Sequence, residues 1–128
     1  MNDPIVLDTD VLVDFLRGVP EAVAFVNDNA SRILLSPIVV SELYAGTESD
    51  QELAILDALV GGFPIVPITG EIAKLGGLYR RQYGKSHSVG VPDALVAAMA
   101  QSERADLATL NVKHYPMFPR LKPPYRKS

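Results

Sequence analysis

The chain predicts an α/β fold: one domain over residues 1–128, with a central, mostly parallel sheet of four to five strands flanked by helices. Short runs of aliphatic and β-branched residues alternate with longer segments whose apolar positions recur at helical spacing, the pattern of strands joined by crossover helices. Start and stop residues bracket most of the helical segments. A hydrophobic content of 48% over 128 residues supplies one buried core and is too little chain for two.

Residues 5–8 read Ile-Val-Leu-Asp, a buried strand that ends on an acid. Helices over 11–17 and 21–29 follow, separated by Gly18-Val19-Pro20. Residues 33–35 are the second strand. Ser36 is placed to cap a helix over 38–45, with Pro37 at its first position and Gly46 as its stop. A helix over 50–59 ends at Gly61-Gly62, and 65–68 is expected as a third strand. Thr69 caps a helix running to about residue 83, after which a helix over 92–103 and a strand over 107–110 complete the alternation. Residues 121–128 form a basic, Pro-containing tail, and the sequence has no repeat, linker or longer low-complexity segment.

Cysteine is absent, which removes disulfides and thiolate metal sites and suits a reducing compartment. No apolar run reaches membrane-spanning length, and a strand-like segment begins within four residues of the start instead of a basic signal region. The expectation is a soluble, cytoplasmic protein with no membrane association. The net charge of −3 conceals an asymmetry: residues 1–60 hold eleven acids against Arg17 and Arg32, whereas 61–128 hold four acids against ten bases. Two solvated faces would explain this, and so would a metal-dependent enzyme acting on a polyanion.

Three acids lie at element boundaries within apolar stretches: Asp8 after Ile5-Val6-Leu7, Glu42 in Val39-Val40-Ser41-Glu42-Leu43, and Asp93 in Val91-Pro92-Asp93-Ala94-Leu95. Uncompensated carboxylates in apolar surroundings are expensive, and no basic partner lies in their motifs, so a divalent cation is the natural compensator. In open α/β sheets the ligand crevice lies beyond the carboxyl ends of the strands. Asp8 occupies such an end, Glu42 and Asp93 lie on helices that can face it, and Asn111 follows the last strand at the same edge.

Four segments then carry a resemblance. Asp8-Thr9-Asp10-Val11-Leu12-Val13-Asp14, Ser41-Glu42-Leu43-Tyr44-Ala45-Gly46, Pro92-Asp93-Ala94-Leu95-Val96-Ala97-Ala98 and Thr109-Leu110-Asn111-Val112-Lys113-His114-Tyr115 resemble the four successive motifs of PIN domains. They are most similar to the VapC-type ribonuclease toxins of bacterial and archaeal toxin–antitoxin pairs. The resemblance spans essentially the whole chain in the right order. It implies a type II toxin, an endoribonuclease that uses Mg²⁺ or Mn²⁺ and a metal-activated water to cleave RNA. It also implies a homodimer, and a cognate VapB-type antitoxin joined to it in a hetero-oligomer.

By the same resemblance Asp8, Glu42 and Asp93 are the metal-binding acids, and Asn111 completes the catalytic set. Many family members carry an acid in the fourth motif, whereas this chain offers Asn111 and His114. Asn adds no negative charge, so one well-held cation is expected rather than two. Thr9, Asp10, Thr109, Lys113 and His114 are candidates for support of the acids or contact with RNA. Thr109 can orient Asp8 or Asn111 through its hydroxyl, or simply satisfy itself within a strand. Asp10 reads as the cap of the first helix with an outer contact to the metal, and Asp14 as a surface partner of Arg17. His87 reads as a loop residue. Lys74, Arg80, Arg81 and Lys85 read as solvent-facing charges able to track a phosphate backbone.

Two other folds are opposed by what is missing, and an Asp-based phosphotransfer module stays as the lesser alternative. A phosphotransferase of the haloacid-dehalogenase type would share Asp8-Thr9-Asp10 but needs a later acidic pair, and no Asp-Asp follows residue 61. A receiver module needs an acid at the end of its third strand, where Ile68-Thr69-Gly70 stands. A PIN fold that binds RNA or a partner with weak or no cleavage is the first alternative. The missing fourth acid favours it, and the retained three oppose it.

Overall fold

Residues 3–128 are described by the structure, a computed structural model. Its centre is a parallel sheet in the order β2-β1-β3, formed by β1 (Ile5–Leu7), β2 (Ile33–Leu34) and β3 (Asp106–Ala108). Ile5 faces both Ile33 and Asp106, and Leu7 faces Ala108. All three residues of β1 are buried, which is why its sequence is uniformly apolar rather than alternating. Among the described residues six α-helices surround the sheet: α1 (Thr9–Leu16), α2 (Pro20–Asp28), α3 (Pro37–Ala45), α4 (Asp50–Val60), α5 (Gly70–Tyr83) and α6 (Val91–Ser102).

The sheet is smaller than the four to five strands expected. The strand expected over 65–68 contributes one parallel bridge, Leu35 to Ile65, with Leu35 N donating to Pro64 O and Val66 N to Leu35 O. The next rung would require the N–H of residue 37, which is Pro37, already the first residue of α3. The strand expected over 107–110 is Asp106–Ala108 instead. Thr109 and Leu110 leave the ladder because side chains take over their neighbourhood: Asp10 Oδ2 accepts from Leu110 N at 2.9 Å, and Thr109 Oγ1 accepts from Asn111 N at 3.1 Å.

The helix starts follow from local chemistry. Ser36, Ser49 and Thr69 accept hydrogen bonds from Ile38, Glu52 and Ile72 N–H, at 3.1, 3.1 and 3.2 Å. Pro20, Pro37 and Pro92 occupy first-turn positions, where a missing N–H costs nothing. The first helix starts two residues earlier than expected, and its cap is Asp8, whose Oδ1 accepts from Thr9 N, rather than Asp10. Helix α6 is buried on nearly every side, from Ala94 to Ala100, and its small residues let it lie against the sheet. Helix α5 closes on it at Gly76, where a β-carbon would stand 2.7 Å from Leu95 Cδ2. No helix is long and apolar enough to cross a membrane among the described residues. This packing brings the carboxyl end of β1 and the residues after β3 together with the first turns of α1 and α6.

Candidate active site

Asp8 follows β1 and is only 7% exposed, yet both its carboxylate oxygens accept hydrogen bonds. Its Oδ1 accepts from Thr9 N at 2.8 Å, and its Oδ2 accepts from Thr109 Oγ1 and Tyr115 OH, each at 2.8 Å. Three donors fix the direction of one carboxylate. Thr109 is completely buried at the end of β3, so its hydroxyl joins the last strand to the central one. Asp10 does comparable work two residues further on, accepting from Val11 N at 2.8 Å and from Leu110 N at 2.9 Å.

Asp93, in the first turn of α6, is half-buried. Its Oδ1 lies 3.4 Å from Tyr115 OH, and its Oδ2 lies 3.2 Å from His114 Nδ1. The Tyr115 hydroxyl therefore stands between Asp8 and Asp93. Glu42 reaches the same space from α3, where its Oε1 accepts from Thr9 Oγ1 at 2.8 Å. Asp8, Thr9, Asp10, Glu42, Asp93, Leu110, Asn111 and His114 line one open cleft of about 510 Å³. Asn111 is exposed there, on the turn into the short 3-10 segment Val112–His114. Lys113 is exposed and outside that lining, as are Lys74, Arg80, Arg81, Lys85 and His87.

The electrostatics are those of crowded acids. Burial, and then the charge of Asp8, hold the Asp93 carboxyl above its ordinary value, while His114 and Tyr115 pull it back down. Asp10 is also raised, by burial first and Asp8 second, against the lowering effect of the Leu110 and Val11 N–H groups. The Tyr115 phenol is driven far up by burial and then by Asp8 and Asp93, so it remains a donor at any physiological pH.

Among the described residues no three carboxylate or imidazole groups close into a ready-made cage for a metal. The donor set still fits a hard cation. It is all oxygen, two of its acids carry raised proton affinity in the absence of a counter-ion, and Mg²⁺ takes one or two carboxylates while keeping several waters.

Two residues in this region were not legible as functional from the sequence. Tyr115 lay within the fourth motif, but only the fold shows its hydroxyl between two acids. Asp14 was expected on the surface beside Arg17, yet it is 5% exposed. Its carboxylate is held by Tyr125 OH at 2.9 Å and Lys127 Nζ at 3.2 Å, from the other end of the chain. The signal, visible only in hindsight, was an acid on the inner stripe of an amphipathic helix, since Val11, Leu12 and Asp14 are its buried positions.

Comparison with known proteins agrees with this architecture. The PIN domain family model matches residues 5–116. Ribonuclease VapC19 of Mycobacterium tuberculosis is 42% identical over 123 residues, covering 93% of this chain and 98% of that protein. Ribonuclease VapC10 of the same organism is 37% identical, covering 94% and 92%. Among solved structures, a toxin–antitoxin complex from Klebsiella pneumoniae superposes with a TM-score of 0.82 at 25% identity, over 95% of this chain and 98% of that one. With the family model matching residues 5–116 and two curated ribonucleases 42% and 37% identical over more than nine-tenths of the chain, the chain belongs to the PIN-domain family, among the VapC ribonucleases.

Proposed function

We propose that this VapC-family chain is the ribonuclease toxin of a toxin–antitoxin pair and that it hydrolyses RNA phosphodiester bonds with Mg²⁺ or Mn²⁺ held by Asp8, Asp93 and Glu42. The observation that carries the proposal is the placement of these acids, with Asn111, around one open cleft in which Asp8 and Asp93 meet across the Tyr115 hydroxyl. A bound divalent cation supplies water activation and neutralises charge developing on the phosphate.

The remaining work belongs to the chain's own residues. Thr9 N–H, Thr109 and Tyr115 fix the direction of Asp8, so that its carboxylate does not reorganise during the reaction. His114 lies beside Asp93 and can hold a proton at Nδ1 against it. Thr9 ties Glu42 to the start of α1. Asn111 gives a neutral hydrogen-bonding group to a phosphate oxygen or a water. The openness of the cleft suits a polymer rather than a small molecule.

A second groove adjoins the first. Val13, Leu16, Leu43, Ile55 and Leu56, from α1, α3 and α4, form an apolar trough, and Thr9, Val13, Arg17 and Glu42 line both spaces. An amphipathic antitoxin helix fits the trough, and an Arg projecting from it would reach the acids and compete with the cation. The chain is proposed to act as a homodimer that joins the antitoxin in a hetero-oligomer.

The test is cleavage of RNA by the purified chain with Mg²⁺ or Mn²⁺, in EDTA, and with Asp8→Asn. We expect activity only with metal and a loss of about 10²-fold or more in Asp8→Asn, the scale on which single electrostatic groups act in such sites. Activity that survives EDTA would refute the metal reading. Asn111 in place of an acid favours a second reading, an RNA- or partner-binding PIN fold. RNA binding without cleavage at any Mn²⁺ concentration would establish it.

A further inference from the structure

The reading of the cleft as an RNA-cleaving site leaves Asp14 without a role. Its burial calls for compensation, because an unpaired carboxylate in such surroundings is costly. Tyr125 OH and Lys127 Nζ provide it, at 2.9 and 3.2 Å. The strand of chain that carries them is anchored on both sides of Lys127. The ring of Tyr125 packs on Phe25 with centroids 6.2 Å apart, and Ser128 N and Oγ donate to Glu21 Oε2 at 2.9 and 2.8 Å.

Compensation alone does not explain where the ammonium stands. The Lys127 side chain remains 51% exposed and lines the same cleft as Asp8, Asp93 and Asn111. Among the described residues that line this cleft, the acids are Asp8, Asp10, Asp14, Glu42 and Asp93, and the permanent cations are Arg17 and Lys127. One divalent ion does not balance such an excess of acids, and an RNA strand adds a negative charge with every phosphate. An ammonium has three donors, of which Asp14 Oδ1 takes one.

We infer that Lys127 is a phosphate-contacting residue of the ribonuclease site, a lysine brought into the acidic cleft by residues 125–128 and held there by Asp14 to receive a non-bridging oxygen of the RNA backbone. Lysine binds phosphate as a point charge without demanding one orientation, which suits a backbone contact that carries no sequence information. Its ordering cost is met in advance by the anchors at Tyr125 and Ser128.

The experiment measures binding of an RNA oligonucleotide by the full chain in EDTA, across a KCl series. Losing one phosphate contact to a single strand lowers the slope of log K against log [salt] by about 0.7. Lys127→Met is expected to show this reduction, with binding weakened alike for every RNA sequence, and Lys127→Arg to keep the wild-type slope. The double variant Asp14→Asn/Lys127→Met keeps the wild-type net charge and leaves no orphaned buried acid, so it separates contact from net charge and from misfolding. It is expected to retain the reduced slope. Tyr125→Phe removes one bond of the anchor and no charge, so it should lower the melting temperature and leave the slope alone.

An unchanged slope in the double variant overturns the inference. So does a Tyr125→Phe slope as low as that of Lys127→Met, which would mean that the segment is structural, and so does a wild type that binds no RNA at any salt. Cleavage assays in Mg²⁺ and Mn²⁺ run beside these. A wild type that cuts RNA with its slope indifferent to Lys127 sinks this inference alone, whereas one that binds RNA through Lys127 without cutting sinks the ribonuclease reading alone.

Discussion

At the scale of single residues, the site is a balance between fixed donors and crowded charge. Asp93 and Asp10 both bind protons more tightly folded than unfolded, because burial and Asp8 raise their carboxyls. The linkage sign follows: the folded state holds more protons, so metal-free stability falls as pH rises from the ordinary carboxylate value through the raised one, and the deficit persists at neutral pH. Asp93→Asn should therefore melt higher than wild type in EDTA at pH 7, with the gap closing below about pH 4, where both carboxyls are protonated. On the proposed reading a divalent metal would bind the folded site and not the unfolded chain, so millimolar Mg²⁺ should narrow or reverse the gap. Melting curves with and without metal check this, and identical curves for the two proteins in both conditions would mean that Asp93 shares no charge burden with Asp8. Asp8 and Asp93 could be singled out in the sequence because charged groups in apolar runs advertise their cost, whereas Glu42, exposed at the rim, was picked out by its motif. Tyr115, Tyr125 and Lys127 were not, because each meets its acid across more than a hundred residues of chain.

At the scale of elements, most boundaries were legible because capping is local chemistry. Ser36 and Thr69 cap the helices they were expected to cap, and Gly46 and Gly61 stand at the C-caps of α3 and α4. The strand over 65–68 was misread because its composition is strand-like while its partner has already turned into α3 at Pro37. Whether a run of β-formers joins a ladder depends on the other strand's N–H groups, which no local window contains. One C-terminus shows the opposite case, a favourable motif with an unfavourable residue. After α6, Arg104 N donates to Gln101 O and Ala105 N to Ala100 O, the paired bonds of a Schellman ending. That ending places Arg104 at φ 52, in the left-handed region that an L side chain resists. Arg104→Gly should stabilise the protein by about 0.5–1 kcal/mol, the left-handed strain relieved less the extra freedom of glycine in the unfolded chain. Arg104 is exposed and lies at the far end of α6 from Asp93, so RNA cleavage should not change. A melting temperature at or below that of wild type would show that the arginine makes a compensating contact.

At the scale of the whole molecule, the acidic first half and the basic second half do not form two opposed faces at the cleft. The first half supplies Asp8, Asp10, Asp14, Glu42 and Arg17, and the second supplies Asp93, His114 and Lys127, so both halves meet there and Lys127 is the one Lys or Arg of the second half among the described residues that line it. The proposed docking trough shares a wall with the cleft, because α1 lines both: Asp10 and Asp14 face the cleft, Leu16 helps line the trough, and Thr9 and Val13 border the two. Leu16 and Ile55 are 39% and 51% exposed, an apolar surface that a covering helix would remove from water. Ile55→Glu puts a charge in the middle of that surface. The side chain already reaches solvent, so folding should change by no more than about 0.5 kcal/mol. RNA cleavage should be unaffected, because Ile55 lines the trough and not the cleft. Inhibition by the cognate antitoxin should weaken about tenfold to a hundredfold, since a buried, unpaired carboxylate costs what a strong interface contact supplies. Titration of the antitoxin against cleavage measures this directly. Full inhibition of Ile55→Glu at wild-type antitoxin concentrations would place the partner elsewhere on the surface, and loss of cleavage by the variant alone would show that trough and cleft are mechanically coupled rather than merely adjacent.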